Sequence, residues 1–196
     1  MPKKSTHHTS HHLRVIGGKY RSRKIKFAAD IAVRPTPNRT RETLFNWLQP
    51  SIQDAKCLEL YGGSGIISIE ALSRGADHIT IVEQSAPIHK QIKRNLEDIC
   101  PDPTRYLCVH ANALHWITQH YNQHWDLVFL DPPFDSNELS RLLPMLATHK
   151  MLAEDGLIYI ESAQPTTPAQ LPENWQIIRQ KKAASVHYCL VRSSGC

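Results

Sequence analysis

The sequence predicts an α/β fold with a mostly parallel sheet and helices on both faces. Short apolar runs alternate with longer segments of helical periodicity from Lys56 to about residue 161. Trp125 to Leu130 is the clearest run, and the prolines that follow Asp131 end it because proline cannot extend a ladder. Strands that alternate with helices favour parallel pairing through right-handed crossovers.

The elements follow in order along the main part of the chain. Predicted strands cover Cys57–Tyr61, His78–Glu83, Arg105–Val109, Trp125–Leu130 and Gly156–Glu161, and predicted helices cover Ile66–Ser73, 86–98, 113–121 and 136–148. Two later runs, 174–181 and 184–192, are close enough in sequence for an antiparallel hairpin at the sheet edge. A chain of 196 residues is long enough to bury one substantial core.

The N-terminal part predicts smaller elements. Alternation from Leu13 to Phe27 indicates a β-hairpin around a pair of glycines. A helix follows, for which Thr36 is a good N-cap and Pro37 suits the first helical position. We therefore divide the chain into a disordered His-rich tail at 1–12, a basic hairpin and helix at 13–50, and the main domain at 51–196.

Composition and termini limit the compartment. No apolar run approaches the roughly 18 residues of a membrane span, and the polar N-terminus does not resemble a secretory signal. The five cysteines form no C-x-x-C pair, which favours reduced thiols in the cytoplasm. The paired histidines of the tail have no carboxylate or cysteine nearby, so we expect a flexible tail and no metal site.

Positive charge is concentrated at the N-terminus. Residues 1–41 hold 11 Lys and Arg and one acid, a net of +10, whereas the other 155 residues hold 12 Lys and Arg and 17 acids, a net of −5. A basic arm on a mildly acidic body favours a polyanion such as nucleic acid, the alternative being a solvated basic tail. The candidate contacts for phosphates and bases are Arg14, Lys19, Tyr20, Arg21, Arg23, Lys24, Arg34 and Arg39. A plain basic hairpin edge is the competing interpretation.

Polar side chains end four successive predicted strands. They are Glu59, Glu83, Asn112 with Ala113, and Asp131. Ligands of open α/β sheets bind outside the carboxyl ends of the strands, so four such residues favour a ligand site over isolated surface groups. Glu83 could accept hydrogen bonds from both ribose hydroxyls, and the Asn112 amide could read an adenine edge.

The turn after the first main strand narrows the ligand. Gly62, Gly63, Ser64 and Gly65 allow close approach of backbone to a ligand, but Ser68 stands where a dinucleotide fingerprint needs its third glycine. A carboxylate at Glu59 repels pyrophosphate and can hold an ammonium group. The pattern therefore favours S-adenosyl-L-methionine over NAD.

Asp131-Pro132-Pro133-Phe134 offers a distinct chemistry. Its carboxylate, its backbone carbonyls and its aromatic ring suit a planar group that bears an NH2. The alternative is a strand-ending turn with a core phenylalanine.

Several of these motifs match a known family. The segments Arg14-Val-Ile-Gly-Gly-Lys-Tyr-Arg-Ser-Arg-Lys-Ile, Arg34-Pro-Thr-Pro-Asn-Arg-Thr-Arg-Glu-Thr-Leu-Phe-Asn-Trp-Leu, Glu70-Ala-Leu-Ser-Arg-Gly-Ala and Asp131-Pro-Pro-Phe resemble the RsmD family of bacterial 16S rRNA guanine-N2 methyltransferases. The resemblance covers about residues 13–192. It implies a Rossmann-like class I methyltransferase fold at 51–196, with S-adenosyl-L-methionine as cofactor. The sequence has Glu59-Leu-Tyr-Gly-Gly-Ser-Gly where the family usually has Asp-Leu-Phe-Ala-Gly-Ser-Gly, and Asn112 where an acid is common.

The resemblance also implies roles for individual residues. Glu59, Tyr61, the glycine turn, Glu83, Asn112, Ala113 and Asp131 would bind the cofactor. Asp131, Pro132, Pro133 and Phe134 would act on the guanine, Asp131 and the Pro132 carbonyl by accepting its N2–H bonds and Phe134 by stacking. We expect a monomer that acts in the cytoplasm on 16S rRNA, the small ribosomal subunit or its assembly intermediate, without a metal or a membrane. The alternatives are DNA adenine or protein glutamine methylation, an NAD oxidoreductase, and a non-catalytic RNA-binding assembly factor.

Overall fold

The computed structural model describes residues 10–28 and 35–193. Nine strands and five α-helices occur in these ranges. The strands are β1 Ser10–Arg14, β2 Lys24–Ala28, β3 Lys56–Glu59, β4 His78–Glu83, β5 Tyr106–His110, β6 Trp125–Leu130, β7 Leu152–Ser162, β8 Trp175–Ala183 and β9 Val186–Ser193. The helices are α1 Asn38–Leu48, α2 Ile66–Ser73, α3 Ala86–Ile99, α4 Ala113–Gln119 and α5 Glu138–Thr148.

The main sheet has seven strands in the order β5-β4-β3-β6-β7-β9-β8. The first five strands of that order pair in parallel, while β7–β9 and β8–β9 pair antiparallel. This arrangement confirms the predicted mostly parallel sheet with an antiparallel C-terminal hairpin. The strand order reverses between β3 and β6, so the ends of these two strands flank the topological switch point where such sheets bind ligands.

Side chains of the central strands alternate between two cores. Cys57, Phe129 and their neighbours pack beneath α2, α3 and α1, whereas Leu58, Val128 and their neighbours pack against α4 and α5. The parallel sheet is therefore covered on both faces, as its continuous apolar runs predict.

The N-terminal hairpin docks on α2 and α3. Lys19 N donates to Ser73 O at 2.7 Å, and Asn95 exchanges hydrogen bonds with the backbone of Lys26 at 2.8 and 3.2 Å. Gly18 has φ +74°, and a Cβ there would lie 1.8 Å from the Ser73 carbonyl oxygen, so this contact requires glycine. The hairpin, α1 and one face of the sheet share a single hydrophobic core.

Several predicted boundaries shift in the structure, among them the start of β7, which lies at Leu152 and not at Gly156, and two in the N-terminal part. The hairpin begins at Ser10 and not at Leu13, so Ser10 to His12 of the predicted tail belong to β1, whose backbone pairs with β2. Pro37 is the N-cap of α1 in place of Thr36, because the Thr36 hydroxyl donates to Glu161 of β7 at 3.1 Å. Residues 1–9, including His7 and His8, lie outside the described residues.

Within residues 10–28 and 35–193 no helix is long and apolar enough to cross a membrane. Cys57, Cys100, Cys108 and Cys189 are free thiols.

Candidate active site

A cavity of about 830 Å³ lies at the carboxyl ends of the parallel strands. This volume is typical of a site for a small organic ligand. Six parts of the chain line it: the segment before α1 with its first turn, the β3–α2 turn, the end of β4, the start of α4, the segment after β6, and the β8–β9 hairpin with the end of β7.

The end of β3 places the Glu59 carboxylate at a smaller pocket, which shares Asp131 and Glu161 with the cavity. Glu59 ends β3, is 6% exposed and accepts a hydrogen bond from the Ser68 hydroxyl of α2. Burial, with smaller contributions from nearby Asp131 and Glu83, outweighs the Ser68 hydrogen bond and raises the pKa of Glu59 to about 8. Such a carboxyl favours a cationic ligand, because a positive charge would stabilise its ionised form.

The β3–α2 turn is shaped by glycines. Gly63 and Gly65 have φ +50° and +74°, and Gly63 borders the cavity. A Cβ at Gly62 would lie 2.7 Å from Ile92 of α3 and 2.8 Å from Ile81 of β4. The turn thus keeps its backbone beside the ligand volume and tight against the sheet. Ser64 is buried within it, and its Oγ accepts from Ile66 N at 3.4 Å.

Glu83 ends β4 and organises the edge of the site. Its two oxygens accept from Gly63 N at 3.0 Å and Ser85 N at 2.7 Å, and the residue lines the cavity. The carboxylate is therefore held rigidly at the position expected for a ribose-binding group. Its contact with the glycine turn joins two parts of the predicted cofactor site.

Asn112, expected to read an adenine edge, instead uses its amide within the protein at the start of α4. The Asn112 Oδ1 caps α4 by accepting from His115 N at 3.2 Å, and its Nδ2 donates to Gln84 Oε1 at 3.3 Å. Ala113 and Gln84 line the cavity. Asn112 thus positions Gln84, a residue that sequence reasoning missed, beside the predicted adenine region.

Asp131, Pro132, Pro133 and Phe134 all line the cavity. The Pro133 carbonyl accepts from Ser136 N at 3.0 Å and Ser136 Oγ at 2.7 Å, so it is engaged within its own turn. Phe134 is 43% exposed, which is unusual for a large apolar side chain and leaves its ring accessible. The arrangement presents a carboxylate and a flat ring to the same space.

Asp131 is exposed to solvent where it lines the cavity, and Glu161 is a neighbouring carboxyl. Desolvation and, to a smaller extent, the neighbouring Glu161 carboxyl together raise its pKa to about 8. Glu161 ends the buried part of β7 and is 4% exposed. It accepts from the Tyr159 hydroxyl at 2.9 Å and the Thr36 hydroxyl at 3.1 Å.

Tyr61, at the beginning of the glycine turn, also borders the cavity. Its hydroxyl donates to Glu138 of α5, and burial raises the pKa of this phenol. The ring is fixed across the switch point between the β3 and β6 sides of the sheet.

The predicted RNA contacts separate into three groups. Arg14, Lys19, Arg21, Arg23 and Lys24 are exposed on the hairpin, and Arg23 donates to the Asp98 carbonyl at 2.7 Å. Arg39 is exposed at the first turn of α1, where it lines the cavity. Arg34 lies outside the described residues.

The predicted stacking role of Tyr20 is wrong. Its side chain is 6% exposed within the core, and its hydroxyl donates to Cys100 Sγ at 3.5 Å. Burial of this ring holds the hairpin on α3 and leaves it inaccessible to a base. The alternating pattern places Tyr20 on the hairpin, but only the docking of the hairpin shows that its ring faces inwards.

Sequence reasoning also missed Glu161, Lys181 and Lys182, which line the cavity. Glu161 follows a predicted strand as the other acids do, so its position carried a usable signal. The lysines belong to an edge hairpin, whose approach to the cavity depends on the β7–β9–β8 pairing. Within the described ranges, no three His, Cys, Asp or Glu side chains form a group that could hold a metal ion.

Comparison with known proteins agrees with this architecture. The family model described as Conserved hypothetical protein 95 matches residues 13–192. Ribosomal RNA small subunit methyltransferase D of Escherichia coli (strain K12) is 39% identical over 188 residues, covering 96% of this chain and 93% of that protein. The protein of the same name from Haemophilus influenzae is 35% identical over 194 residues, covering 98% and 100%.

A solved structure shows the same fold. The structure of yhhF from Escherichia coli superposes with a TM-score of 0.83 at 36% identity, and the match covers 95% of this chain and 100% of that one. The cofactor of the family is S-adenosyl-L-methionine, as the sequence predicts. The donor set fits it, because buried Glu59 suits its ammonium, Glu83 suits its ribose and the glycine turn allows close approach. This chain belongs to the RsmD family of class I S-adenosylmethionine-dependent methyltransferases.

Proposed function

We propose that this enzyme methylates the exocyclic N2 of one guanine in the 16S rRNA of the small ribosomal subunit, in the cytoplasm and as a monomer. The relatives named above are ribosomal RNA small subunit methyltransferases, which supports rRNA as the substrate class. The observation that carries the choice of an amino group is the Asp131-Pro132-Pro133-Phe134 turn on the cavity wall.

The turn provides what a weakly nucleophilic amino group needs. The Asp131 carboxylate and the Pro132 carbonyl accept the two N2–H bonds, while the Pro133 carbonyl is already engaged by Ser136. Two acceptors in the plane of the base direct the N2 lone pair out towards the methyl group. Phe134 stacks on the base and excludes water from one face.

The bound cofactor supplies a methyl group on a sulfonium, an electrophile that needs no further activation. With the cofactor bound, the N2 lone pair would form the new N–C bond, and the electrons of the broken S–C bond would stay on sulfur. The N2 proton passes to Asp131 or, after transfer, to water. Catalysis by this chain therefore consists of positioning and of placing negative charge beside the nitrogen.

Exposed cations extend from the cavity to the hairpin. Arg39 is at the cavity, and Arg14, Lys19, Arg21, Arg23 and Lys24 lie on the hairpin. They contact the RNA backbone and hold the target nucleotide over the site, which requires a base taken out of its stack.

Radiolabelled methyl transfer tests this function. Unmethylated small subunits, naked 16S rRNA, duplex DNA and bulk protein are offered separately, and the labelled nucleoside or residue is identified. We expect N2-methylguanosine from the small subunit or its rRNA. Label in adenine or glutamine would replace the substrate, and cofactor binding without any label would favour a non-catalytic assembly factor.

Asp131→Ala tests the residue that carries the proposal. We expect cofactor binding within a few-fold of wild type and a loss of methyl transfer of about 10³-fold, in the range for removing a preorganised group at the reacting atom. Asp135→Ala is a matched control, because Asp135 lies just beyond the turn and is exposed. Full activity of Asp131→Ala would overturn the assigned role.

A further inference from the structure

Glu161 is a second carboxylate beside the catalytic turn that the proposed reaction has not used. Its side chain is 4% exposed, yet the residue lines the same cavity as Asp131 and Phe134. A buried carboxyl requires hydrogen bonds or a counter-charge. Within the protein, Glu161 has hydrogen bonds to one of its two oxygens.

Two neutral donors fix Glu161 in place. Tyr159, 2% exposed, and Thr36, 7% exposed, both donate to Oε1. Tyr159 lies two residues earlier on β7, and Thr36 reaches across from the segment before α1. Since both bonds go to one oxygen, the pair orients the carboxyl group and leaves Oε2 for a ligand in the cavity.

Glu161 has no ion-pair partner in the described part of the chain. The ion pairs found there join Arg41 and Arg74 to Glu70, away from the cavity. Asp131 is a second acid near Glu161, and the Glu161 charge helps to raise the pKa of Asp131. The site is therefore completed by a ligand that carries several N–H donors.

The Watson–Crick edge of guanine has three N–H donors in a row, two on N2 and one on N1. Asp131 and the Pro132 carbonyl account for the two on N2, which leaves N1–H without an acceptor. Adenine differs at this point, because its amino group adjoins an unprotonated N1. A carboxylate facing that N1 would oppose a lone pair with a negative charge.

We propose that Glu161 Oε2 accepts the N1–H of the target guanine and thereby selects guanine over adenine. The inference rests on the proposed function, because it identifies the base that the same site accepts. Glu161 contacts the substrate but takes no part in bond making, so its role is in specificity. Tyr159 and Thr36 are positioning residues that act through it.

The acid–base properties of the pair agree with this assignment. Burial raises the pKa of Glu161, and the Tyr159 and Thr36 hydroxyls oppose that rise. A hydrogen bond from guanine N1–H in the desolvated site would stabilise the ionised Glu161 carboxylate further. A base with an N1 proton would add a third hydrogen-bond donor to Glu161 and so favour its charged form.

The test uses 2-aminopurine, which keeps the amino group at C2 and lacks the N1 proton. 16S rRNA carrying guanine or 2-aminopurine at the target position is prepared by ligation and reconstituted into small subunits. Methyl transfer is measured with wild type and with Glu161→Gln. In Glu161→Gln, Nε2 replaces Oε2 and presents a donor in place of an acceptor.

We expect wild type to prefer guanine over 2-aminopurine by about 10²-fold, as when a buried polar group loses its partner. Glu161→Gln should lose about 10- to 100-fold on guanine and gain relative activity on 2-aminopurine, so that the preference falls by at least about tenfold. Glu154→Gln, an exposed acid on the same strand, should leave both rates unchanged. A structural role for Glu161 would lower both rates equally and leave the preference unchanged.

Each outcome is decisive. An unchanged preference in a folded Glu161→Gln variant that binds cofactor overturns the specificity role while the proposed function stands. Failure of wild type to make N2-methylguanosine overturns the proposed function and this inference together. If Glu161→Gln does not fold, Tyr159→Phe replaces it, since loss of one orienting hydroxyl should reduce the preference and an unchanged preference would overturn the proposal.

Discussion

Glu70, with its ion-pair partners, and the acids at the cavity have opposite surroundings in this enzyme. Glu70 of α2 lies at the junction between the hairpin and the main sheet, and it is ion-paired with Arg41 at 2.8 Å and Arg74 at 3.2 Å. Ile16 N also donates to Glu70 at 2.5 Å. Asp131 and Glu161, by contrast, face a cavity. The neighbour of Glu161 is a neutral hydroxyl donor, and the neighbour of Asp131 is another acid, so neither balances a negative charge.

The difference distinguishes an acid that holds the fold together from acids that are available to bind ligands. The charge of Glu70 is satisfied by atoms of the chain itself, so its cluster joins the basic hairpin to the body whether or not a ligand is bound. Arg41 also donates to the Arg14 carbonyl at 3.1 Å, which ties α1 to the end of β1. Among residues 10–28 and 35–193 the cavity acids have no ion-pair partner, so the cofactor and the substrate can supply a cation and N–H donors to them. Buried acids without an internal cation therefore mark the site better than buried acids in general.

The largest expected effect is on the satisfied cluster. Arg41→Met removes a partner that is fully buried and leaves the Glu70 charge under-compensated. We expect the free energy of unfolding to fall by about 3–5 kcal/mol, as found for breaking one side of a buried pair. Urea unfolding of the purified protein measures it.

Arg74→Met is the matched control for this prediction. The Arg74 side chain is 21% exposed and its ion pair is within a single helix, so its loss should cost less than about 1 kcal/mol. Equal effects of the two substitutions would remove the distinction between a buried and a peripheral partner.

The raised pKa of Glu59, a buried acid near Asp131, should make stability depend on pH in the opposite sense to ordinary paired acids. Burial raises the pKa of Glu59 from 4.5 to about 8, so the folded protein keeps a proton that the unfolded chain has lost. The free energy of unfolding should therefore fall as pH rises from about 4.5 to about 8, by up to a few kcal/mol in the absence of cofactor. Urea unfolding at pH 5, 7 and 9 measures the trend.

Glu59→Gln isolates the contribution of this one group. The variant keeps an acceptor for the Ser68 hydroxyl but has no proton to lose, so its stability should depend less on pH than that of wild type. A variant with the same pH dependence as wild type would contradict the assignment of the raised pKa to Glu59.

Activity should depend on pH through Asp131. Its pKa of about 8 in the free enzyme means that the ionised acceptor is scarce at low pH. Desolvation and the charge of Glu161 raise this pKa. We expect kcat/KM for the cofactor to rise by up to about tenfold per pH unit from pH 6 to about 8 and then to level off.

Saturation with cofactor sharpens this prediction. The sulfonium charge should lower the pKa of the nearby acids, so kcat at saturating cofactor should reach its plateau at lower pH than kcat/KM. Identical pH midpoints in the two profiles would show that the cofactor charge does not reach the cavity acids.

The smallest effects belong to the exposed cations. Arg21→Ala and Lys24→Ala on the hairpin should each weaken binding to rRNA by a few-fold and lower the salt slope of log K by roughly 0.7 to 0.9 per lost phosphate contact. Filter binding at several salt concentrations measures both quantities. Lys150→Gln, an exposed residue at the amino-terminal end of β7, should change neither.

Most secondary structure follows from local pattern. The helix Ile66–Ser73 and the strands His78–Glu83 and Trp125–Leu130 have the predicted bounds, because apolar runs, glycines and prolines delimit them in the chain itself. The start of α1 does not, since Thr36 has the properties of an N-cap but bonds to a carboxylate 125 residues away. Local capping preferences lose to a long-range partner that the sequence does not reveal.

The sequence by itself determined the α/β class, the parallel sheet, the strand-end positions of Glu59, Glu83 and Asp131, and the basic character of the hairpin. These properties depend on residue type and short-range periodicity. Only the tertiary structure decided that Tyr20 is buried, that Arg41 is paired with Glu70, and that Glu161 meets Asp131 at the cavity. The reason is physical: strand order and the docking of the hairpin bring together side chains that are far apart in sequence, and burial among those neighbours fixes the charge, contacts and accessibility of each one.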